Sequence, residues 1–267
     1  MQRLPRINLQ VLRSSSMGNC TVVWIDGQAL FIDAGVSRKL LDEFVLEHGV
    51  KPRALLVTHA HADHLTNPAV NFFREHSAPI YIGHADAIRA FSKYLPALRK
   101  YRDMVKIFSG PFNAGDFCIE PFSLDHDSMG GCFGFAVKID GKKVVVATDL
   151  VNTPPRLKQY FNGADAVVFE SNHDVEMLKQ SSRPEYLKQR IRERGHLSNE
   201  KSAAFLADTY TTSGTAPQYV FLAHISHECN THAKAHSVHE SLLLPVCGNG
   251  TVLHLTHRDK SSVIACL

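Results

Sequence analysis

The feature that most constrains this chain is a histidine-rich segment that directly follows an apolar run. Residues 58–64 read Thr-His-Ala-His-Ala-Asp-His, and the preceding residues 54–58 predict a buried strand that delivers His59 at its end. Side chains two apart on an extended backbone point to the same side, so His59 and His61 can converge on one ion. The segment therefore predicts a metal site where a strand ends.

Asp63 and His64 complete this segment at the predicted turn into the next helix, from which they can point toward a second ion. Three imidazoles and one carboxylate within a few positions suit a borderline divalent metal, namely zinc, manganese or iron. The alternative is a histidine-rich surface loop that binds no metal. The position directly after an apolar strand favours the metal site.

Further polar residues occupy similar junctions later in the chain. They are His126, Asp149, Glu170, His196 and His224. Any one of them alone would more often be a packed or solvated polar residue. Because catalytic groups gather where the strands of an α/β core end, their recurrence at such junctions indicates one shared site.

The rest of the sequence predicts an α/β fold in one domain over residues 1–267. Short apolar runs alternate with stretches of helical spacing, and Asp-Gly pairs at 26–27 and 140–141 are hairpin signals. The 44% hydrophobic content supports a sizeable core, and no linker rich in Pro, Gly or Ser divides the chain. We expect two sheets face to face with helices outside.

Composition excludes several classes of protein. Apolar, aromatic and β-branched residues recur throughout without a heptad, which excludes disorder and a coiled coil. The six cysteines form no CxxC pair, so neither a disulfide framework nor a zinc finger is indicated. No apolar run is long enough to span a membrane, and the start, MQRLPRINLQ, lacks a signal-peptide core. We therefore expect a cytoplasmic protein without a membrane partner.

These motifs together resemble the metallo-β-lactamase fold superfamily, through the segment 59–64 with His126, Asp149 and His224. Other motifs resemble its YycJ/WalJ-like subgroup of hydrolases regarded as nucleases: SSSMGNC at 14–20, DAG at 33–35, ATDL at 147–150, FESNHDVEML at 169–178, GHLSNE at 195–200 and AHIS at 223–226. The resemblance implies a four-layer αββα sandwich with two mixed sheets. Two features depart from the subgroup: Cys20, where a small hydroxyl residue is usual, and the stretch beyond Cys247.

The resemblance also implies a ligand set for two divalent ions, Zn²⁺ or Mn²⁺, with iron as a further option. One ion would be held by His59, His61 and His126, the other by Asp63, His64 and His224, and Asp149 would bridge both. A water bridging two such ions loses a proton near neutral pH and becomes the nucleophile of a hydrolase. Asp63 then belongs to the catalytic group as well as to the ligands.

Glu170 and His196 match, by resemblance, a glutamate and a histidine that assist proton transfer in the phosphodiesterase branch, which includes tRNase Z. A carboxylate that orients an imidazole suits protonation of a leaving alkoxide, and this pair favours a phosphodiester over a lactam. The alternative for His196 is a cap of the helix that begins near Ser198. His173 either contacts a phosphate or makes a structural hydrogen bond.

Weaker signals concern the surface. Two locally basic stretches, residues 89–106 and 179–194, could neutralise phosphates, although a charge run is more often a solvated helix face. Residues 14–19 predict a polar loop at the cleft; we expect a structural turn, and a secondary role in positioning substrate stays open. The histidines after His224 have helical spacing and are predicted to lie at the surface: His227, His232, His236 and His239.

We expect a dinuclear metal-dependent hydrolase, a phosphodiesterase or nuclease that acts on DNA or RNA. Two alternatives stay open. One is a hydrolase of a small thioester, lactone or lactam, for which the same activated water would serve. The other is a non-catalytic regulatory protein that binds metal without turnover.

Overall fold

Fourteen strands form the framework of the computed structural model, which describes residues 6–267. The first five residues, which belong to the N-terminal stretch predicted to lack a signal-peptide core, lie outside the described residues. In chain order the strands are β1 Asn8–Ser15, β2 Gly18–Ile25, β3 Gln28–Ile32, β4 Lys51–Val57, β5 Ile80–Ile82, β6 Val105–Ile107, β7 Phe112–Ala114, β8 Phe117–Leu124, β9 Cys132–Ile139, β10 Lys142–Ala147, β11 Ala166–Glu170, β12 Tyr219–Ala223, β13 Val252–Leu255 and β14 Ala265–Cys266.

The strands form two mixed sheets that repeat one pattern. The first sheet has the order β14-β1-β2-β3-β4-β5-β6, antiparallel from β14 to β3 and parallel from β3 to β6. The second has the order β13-β12-β11-β10-β9-β8-β7, antiparallel from β7 to β10 and parallel from β10 to β13. Parallel strands need long crossovers, and helices fill most of them.

The α-helices cover the outer faces of the two sheets. They are α1 Arg38–His48, α2 Asn67–Glu75, α3 Ala85–Ser92, α4 Pro96–Lys100, α5 Lys158–Phe161, α6 Val175–Gln180, α7 Glu185–Arg190, α8 Asn199–Ser213, α9 His232–Leu242 and α10 Leu244–Cys247. None of the helices within residues 6–267 is both long and apolar enough to cross a membrane.

Alternation along single strands explains the layers. In β2, Val22 and Trp24 pack with the helices of the first sheet, whereas Val23 and Ile25 pack between the two sheets. Successive side chains of a strand point to opposite faces, so a strand buried on both faces reads as a continuous apolar run. The predicted αββα sandwich is confirmed, with one apolar layer between the sheets and one under each helical layer.

The second basic stretch, residues 179–194, includes a helix that ends in a wider turn. Helix α7 begins after Pro184, and a wider π turn over Ile191–Gly195 follows it. Such turns are frequent at functional sites. Here the turn presents the Gly195 carbonyl oxygen to His126 Nδ1 at 2.9 Å.

Candidate metal centre

Three imidazoles from two different strand ends meet in one group. His59 and His61 follow β4, and His126 follows β8 in the other sheet. His59 Nε2 lies 2.8 Å from His61 Nδ1, and each of the three residues can place one nitrogen within 4.8 Å of the others. Since neutral imidazole nitrogens at this separation repel unless a proton or cation lies between them, the arrangement suits a metal ion.

His126 is fixed in the tautomer that a ligand needs. Its Nδ1 donates a hydrogen bond to the Gly195 carbonyl oxygen, so Nε2 carries the free lone pair. That Nε2 is buried and has no hydrogen-bond partner within residues 6–267. Burial lowers the pKa of His126, which keeps the ring neutral.

Asp149 lies between this group and the second half of the histidine-rich segment. Its Oδ2 is 3.7 Å from His64 Nε2, and His59, His64 and Asp149 form a further group within 4.8 Å. His64 Nε2 is also 3.3 Å from Asp63 Oδ2. Asp149 Oδ2 is buried and unpartnered in the described part of the chain. Asp63 belongs to none of the three 4.8 Å groups, but it contacts one through His64.

His224 enters from the end of β12. Its Nδ1 donates to Glu170 Oε1 at 2.9 Å, and its Nε2 is buried without a partner in the described residues. Burial alone would lower the pKa of His224, but the carboxylates of Asp149 and Glu170 raise it to about 9. This pocket therefore attracts positive charge.

Glu170 is a fully buried carboxylate with four hydrogen bonds. Its Oε1 accepts from Nδ1 of His196 at 2.8 Å and of His224 at 2.9 Å. Its Oε2 accepts from the backbone N–H groups of Leu150 and Leu197. Burial would raise the pKa of Glu170, but the two imidazoles hold it well below its usual range. Asp149, Glu170, His196 and His224 also group within 4.8 Å, yet Glu170 is engaged as a hydrogen-bond acceptor and therefore orients the two histidines.

His196 lines the cleft above the centre, and its side chain is 22% exposed. Because a carboxylate can only accept, Nδ1 carries the proton shared with Glu170, and Nε2 is the nitrogen free to exchange a proton. The capping alternative is wrong, since the Ser198 side chain caps helix α8 by accepting from the Lys201 N–H.

Sequence reasoning missed two side chains that hold the centre in place. Asp33 Oδ2 lies 2.8 Å from His64 Nδ1, and its Oδ1 accepts from the Thr58 N–H. Asn19 Nδ2 donates to Asp63 Oδ2 at 3.1 Å. Asp33 directly follows β3, so the strand-end rule that found Asp149 could have found it. The predicted turn at 14–19 lines the cleft with Ser15, Ser16 and Met17, and its Asn19 positions Asp63.

The backbone is strained at three positions of the centre. Asp33, Asp149 and His224 have φ values of 59°, 62° and 56°, in the left-handed region that L-residues rarely adopt. Each costs on the order of 1–2 kcal/mol and persists only where the surrounding structure imposes it. Gly35 lies close by, and a Cβ there would be 1.6 Å from the Asp63 carbonyl oxygen. Close backbone approach therefore requires a glycine at position 35.

Other predicted residues lie elsewhere. His173 is buried, does not line the cleft, and has a pKa lowered by burial to about 4, which argues against contact with a phosphate. His239 is not at the surface as predicted; it is fully buried and its Nε2 lies 3.0 Å from Ser202 Oγ.

The cleft above the centre has a volume of about 260 Å³. Among its lining residues are six from the centre and four arginines: His61, Asp63, His126, Asp149, His196, His224, Arg183, Arg190, Arg194 and Arg258. The basic stretch at 179–194 thus contributes to the cleft. The stretch at 89–106 contributes no residue to its lining.

Comparison with known proteins places this geometry in context. The model of the beta-lactamase superfamily domain matches residues 29–225. The exodeoxyribonuclease YycJ of Bacillus anthracis is 33% identical over 232 residues, which is 84% of each chain. The exodeoxyribonuclease WalJ of Streptococcus pneumoniae is 32% identical over 231 residues, 85% of this chain and 84% of that protein. The crystal structure of the metallo-beta-lactamase fold protein YhfI from Bacillus subtilis aligns with a TM-score of 0.70 at 17% identity, covering 98% of this chain and 100% of that one.

Proposed function

This chain belongs to the beta-lactamase superfamily, and from that premise we propose that it is a metal-dependent phosphodiesterase that hydrolyses DNA. The observation that carries the proposal is that three buried ligand atoms without a hydrogen-bond partner among residues 6–267 converge on one cleft: His126 Nε2, Asp149 Oδ2 and His224 Nε2. Buried polar atoms are normally paired, so these three fit a bound cation. Relatives of 32–33% identity named exodeoxyribonucleases support DNA as the substrate.

We assign two divalent ions, Zn²⁺ or Mn²⁺, to the centre. The first would be held by His59, His61 and His126, and the second by Asp63, His64 and His224, with Asp149 between them. Hydrogen bonds from Nδ1 of three of these histidines to Asp33, Gly195 and Glu170 support Nε2 as their ligand atom. Two bound ions would supply an acidified water and positive charge beside the phosphate.

The chain itself would supply the proton for the leaving group. His196 lines the cleft, and its Nδ1 is held by Glu170, which leaves Nε2 for the substrate. Glu170 orients the ring, so that a protonated His196 can donate from Nε2 to the leaving alkoxide oxygen. An acyl substrate with a good leaving group has no need of this pair. The pair therefore favours a phosphodiester over a thioester, and the relatives named exodeoxyribonucleases favour a phosphodiester over a lactone or lactam.

Metal content and hydrolysis together test the proposal. We expect protein purified without added metal to contain Zn²⁺ or Mn²⁺ by elemental analysis, and the loaded protein to cleave DNA and bis(p-nitrophenyl) phosphate. Asp149→Ala should lose about a thousandfold in kcat/KM on both, because metal ions supply several kcal/mol of charge stabilisation. Asp103→Ala is the matched control, since this aspartate is exposed and lies outside the cleft.

Three results would contradict the proposal. Full activity of Asp149→Ala would remove the metal centre from the reaction. Hydrolysis of a thioester or lactone panel without cleavage of any phosphodiester would favour the acyl alternative. Metal binding without turnover on either panel would favour the regulatory alternative.

A further inference from the structure

Resting on the proposed phosphodiesterase function, we propose that Arg13 and Arg258 form a phosphate-binding track for the part of a single DNA strand that lies outside the metal cleft. The track is a second groove, of about 280 Å³, whose lining includes Arg13, Met17, Gly18, Gly35 and Arg258. Met17 and Arg258 line both this groove and the metal cleft. The two cavities therefore adjoin at these side chains.

Two of the other three arginines that line the metal cleft are paired with carboxylates, whereas Arg194 and the arginines of the track form no ion pair within residues 6–267. Arg183 Nε is 2.8 Å from Glu228 Oε2, and Arg190 Nη2 is 3.3 Å from Asp127 Oδ2. Arg13 and Arg258, by contrast, make no ion pair within residues 6–267, and Arg258 is exposed. Asp259 also lines the groove but forms no ion pair with Arg258. The two arginines outnumber Asp259 in this groove, so the groove has a net positive charge, which favours the binding of phosphates.

The C-terminal segment holds Arg258 beside Arg13. This segment leaves the second sheet after β13 and joins the first sheet as β14, which pairs with β1. The His257 carbonyl oxygen accepts from the Ser14 N–H at 3.0 Å, and the Ser262 N–H donates to the Val11 carbonyl oxygen at 2.8 Å. Hydrogen bonds on both sides of Arg258 therefore fix its backbone along β1, the strand that carries Arg13.

The shape of the two cavities favours a single strand. A cleft of about 260 Å³ is close to the lower end of the range for ligand pockets, roughly 300 Å³, so it suits one nucleotide unit rather than a longer piece. Met17, whose side chain is 66% exposed at the junction, offers an apolar and polarizable surface to the face of a base. A basic groove with a surface for stacked bases is the pattern by which proteins bind single strands.

Binding to an uncleaved probe tests the track. The metal-loaded protein is titrated against a fluorescent phosphorothioate dodecamer of thymidylate, which resists hydrolysis, at several salt concentrations. For Arg13→Gln/Arg258→Gln we expect affinity to fall about tenfold and the slope of log Kd against log salt to become shallower by about 1.4, from two lost phosphate contacts. Affinity for thymidine monophosphate and kcat/KM for bis(p-nitrophenyl) phosphate should fall less than affinity for the dodecamer does, because these small probes occupy the metal cleft alone and do not reach Arg13.

Two control variants make the result decisive. Arg99→Gln/Lys100→Gln removes the same charge from α4, outside both cavities, and should bind the dodecamer as the unaltered protein does. Arg13→Lys/Arg258→Lys keeps the charge and should retain the salt slope. Equal affinity and slope for the Gln double variant and the α4 control would overturn the track. A protein that binds the dodecamer through these arginines but hydrolyses no phosphodiester would overturn the proposed function alone.

Discussion

At the scale of single residues, the candidate metal centre contains groups that lower the stability of the fold. Within residues 6–267, three of the five buried and unpartnered side-chain nitrogen or oxygen atoms belong to it: His126 Nε2, Asp149 Oδ2 and His224 Nε2. Each such atom costs about 1–3 kcal/mol when nothing satisfies it. Two of these residues, Asp149 and His224, also have a left-handed backbone. Unpaired buried atoms and an unfavourable backbone conformation therefore occur at the same residues, as is expected at a functional site.

His196 provides the sharpest test of a single residue, because its proposed role depends on the leaving group. We expect His196→Ala to lower kcat on DNA by about a hundredfold or more, since an alkoxide must be protonated as it leaves. On bis(p-nitrophenyl) phosphate the loss should stay below about tenfold, because p-nitrophenolate leaves without a proton. Steady-state kinetics on both substrates and elemental analysis for metal measure this difference.

The control for His196 is His236→Ala, a change on α9 outside the cleft, which should leave both activities unchanged. An equal loss on the two substrates, or loss of metal from His196→Ala, would show that His196 holds the centre together and donates no proton.

At the scale of elements, the sequence predicts which residues of the candidate centre lie at strand ends. It does not predict which of these residues contact one another. An apolar run followed by a polar residue marks the end of β4, β10 and β12, so residues His59, Asp149 and His224 could be found from local pattern. That Glu170 contacts both His196 and His224 depends on β11 lying beside β12, which the sequence does not specify. The short strand β14 has too few residues to show alternation, and it was not predicted.

Helix α9 shows the limit of helical spacing as a signal. Its histidines recur at helical intervals, but the spacing does not say which side faces the protein. In the structure His239 faces α8 and is buried against Ser202, whereas His236 is partly exposed. The surface prediction was therefore wrong for His239 because packing between α8 and α9 decides burial.

His239 should make stability depend on pH. Burial lowers its pKa from 6.5 to about 4, so between these values the unfolded chain binds a proton that the folded chain excludes. The contribution of the neutral His239 to the free energy of unfolding is complete above pH 6.5. It decreases as the pH falls toward 4, and the decrease is about 2 kcal/mol at pH 5. Urea unfolding of the unaltered protein and of His239→Gln, at pH 7.5 and pH 5, measures this loss.

Other histidines titrate in the same range, so the comparison between variants carries the result. Between pH 7.5 and pH 5, the free energy of unfolding of His239→Gln should fall less than that of the unaltered protein. The free energy of unfolding of His236→Gln should fall as much as that of the unaltered protein. Parallel pH dependence of His239→Gln and the unaltered protein would contradict the assignment.

At the scale of the whole molecule, the two sheets are joined on the side where the C-terminal segment crosses from one to the other. Strand β13 pairs with β12 of the second sheet, and β14 pairs with β1 of the first. The metal centre likewise draws residues from both sheets, with His59 after β4 and His224 after β12. The same segment that ties the sheets together thus carries Arg258 to the edge of the cleft.

Ser262 tests this connection. Its Oγ accepts from the Val11 N–H at 3.0 Å, and both residues are buried. We expect Ser262→Ala to cost about 1–3 kcal/mol, because the Val11 N–H is left unpaired. The melting temperature should fall by roughly 2–4 °C per kcal/mol, and affinity for the thymidylate dodecamer should fall with it as Arg258 loses its fixed position.

Ser182→Ala, at an exposed serine, should change neither the melting temperature nor the affinity for the dodecamer. A lower melting temperature with unchanged dodecamer affinity would show that the segment stabilises the sheets without positioning Arg258.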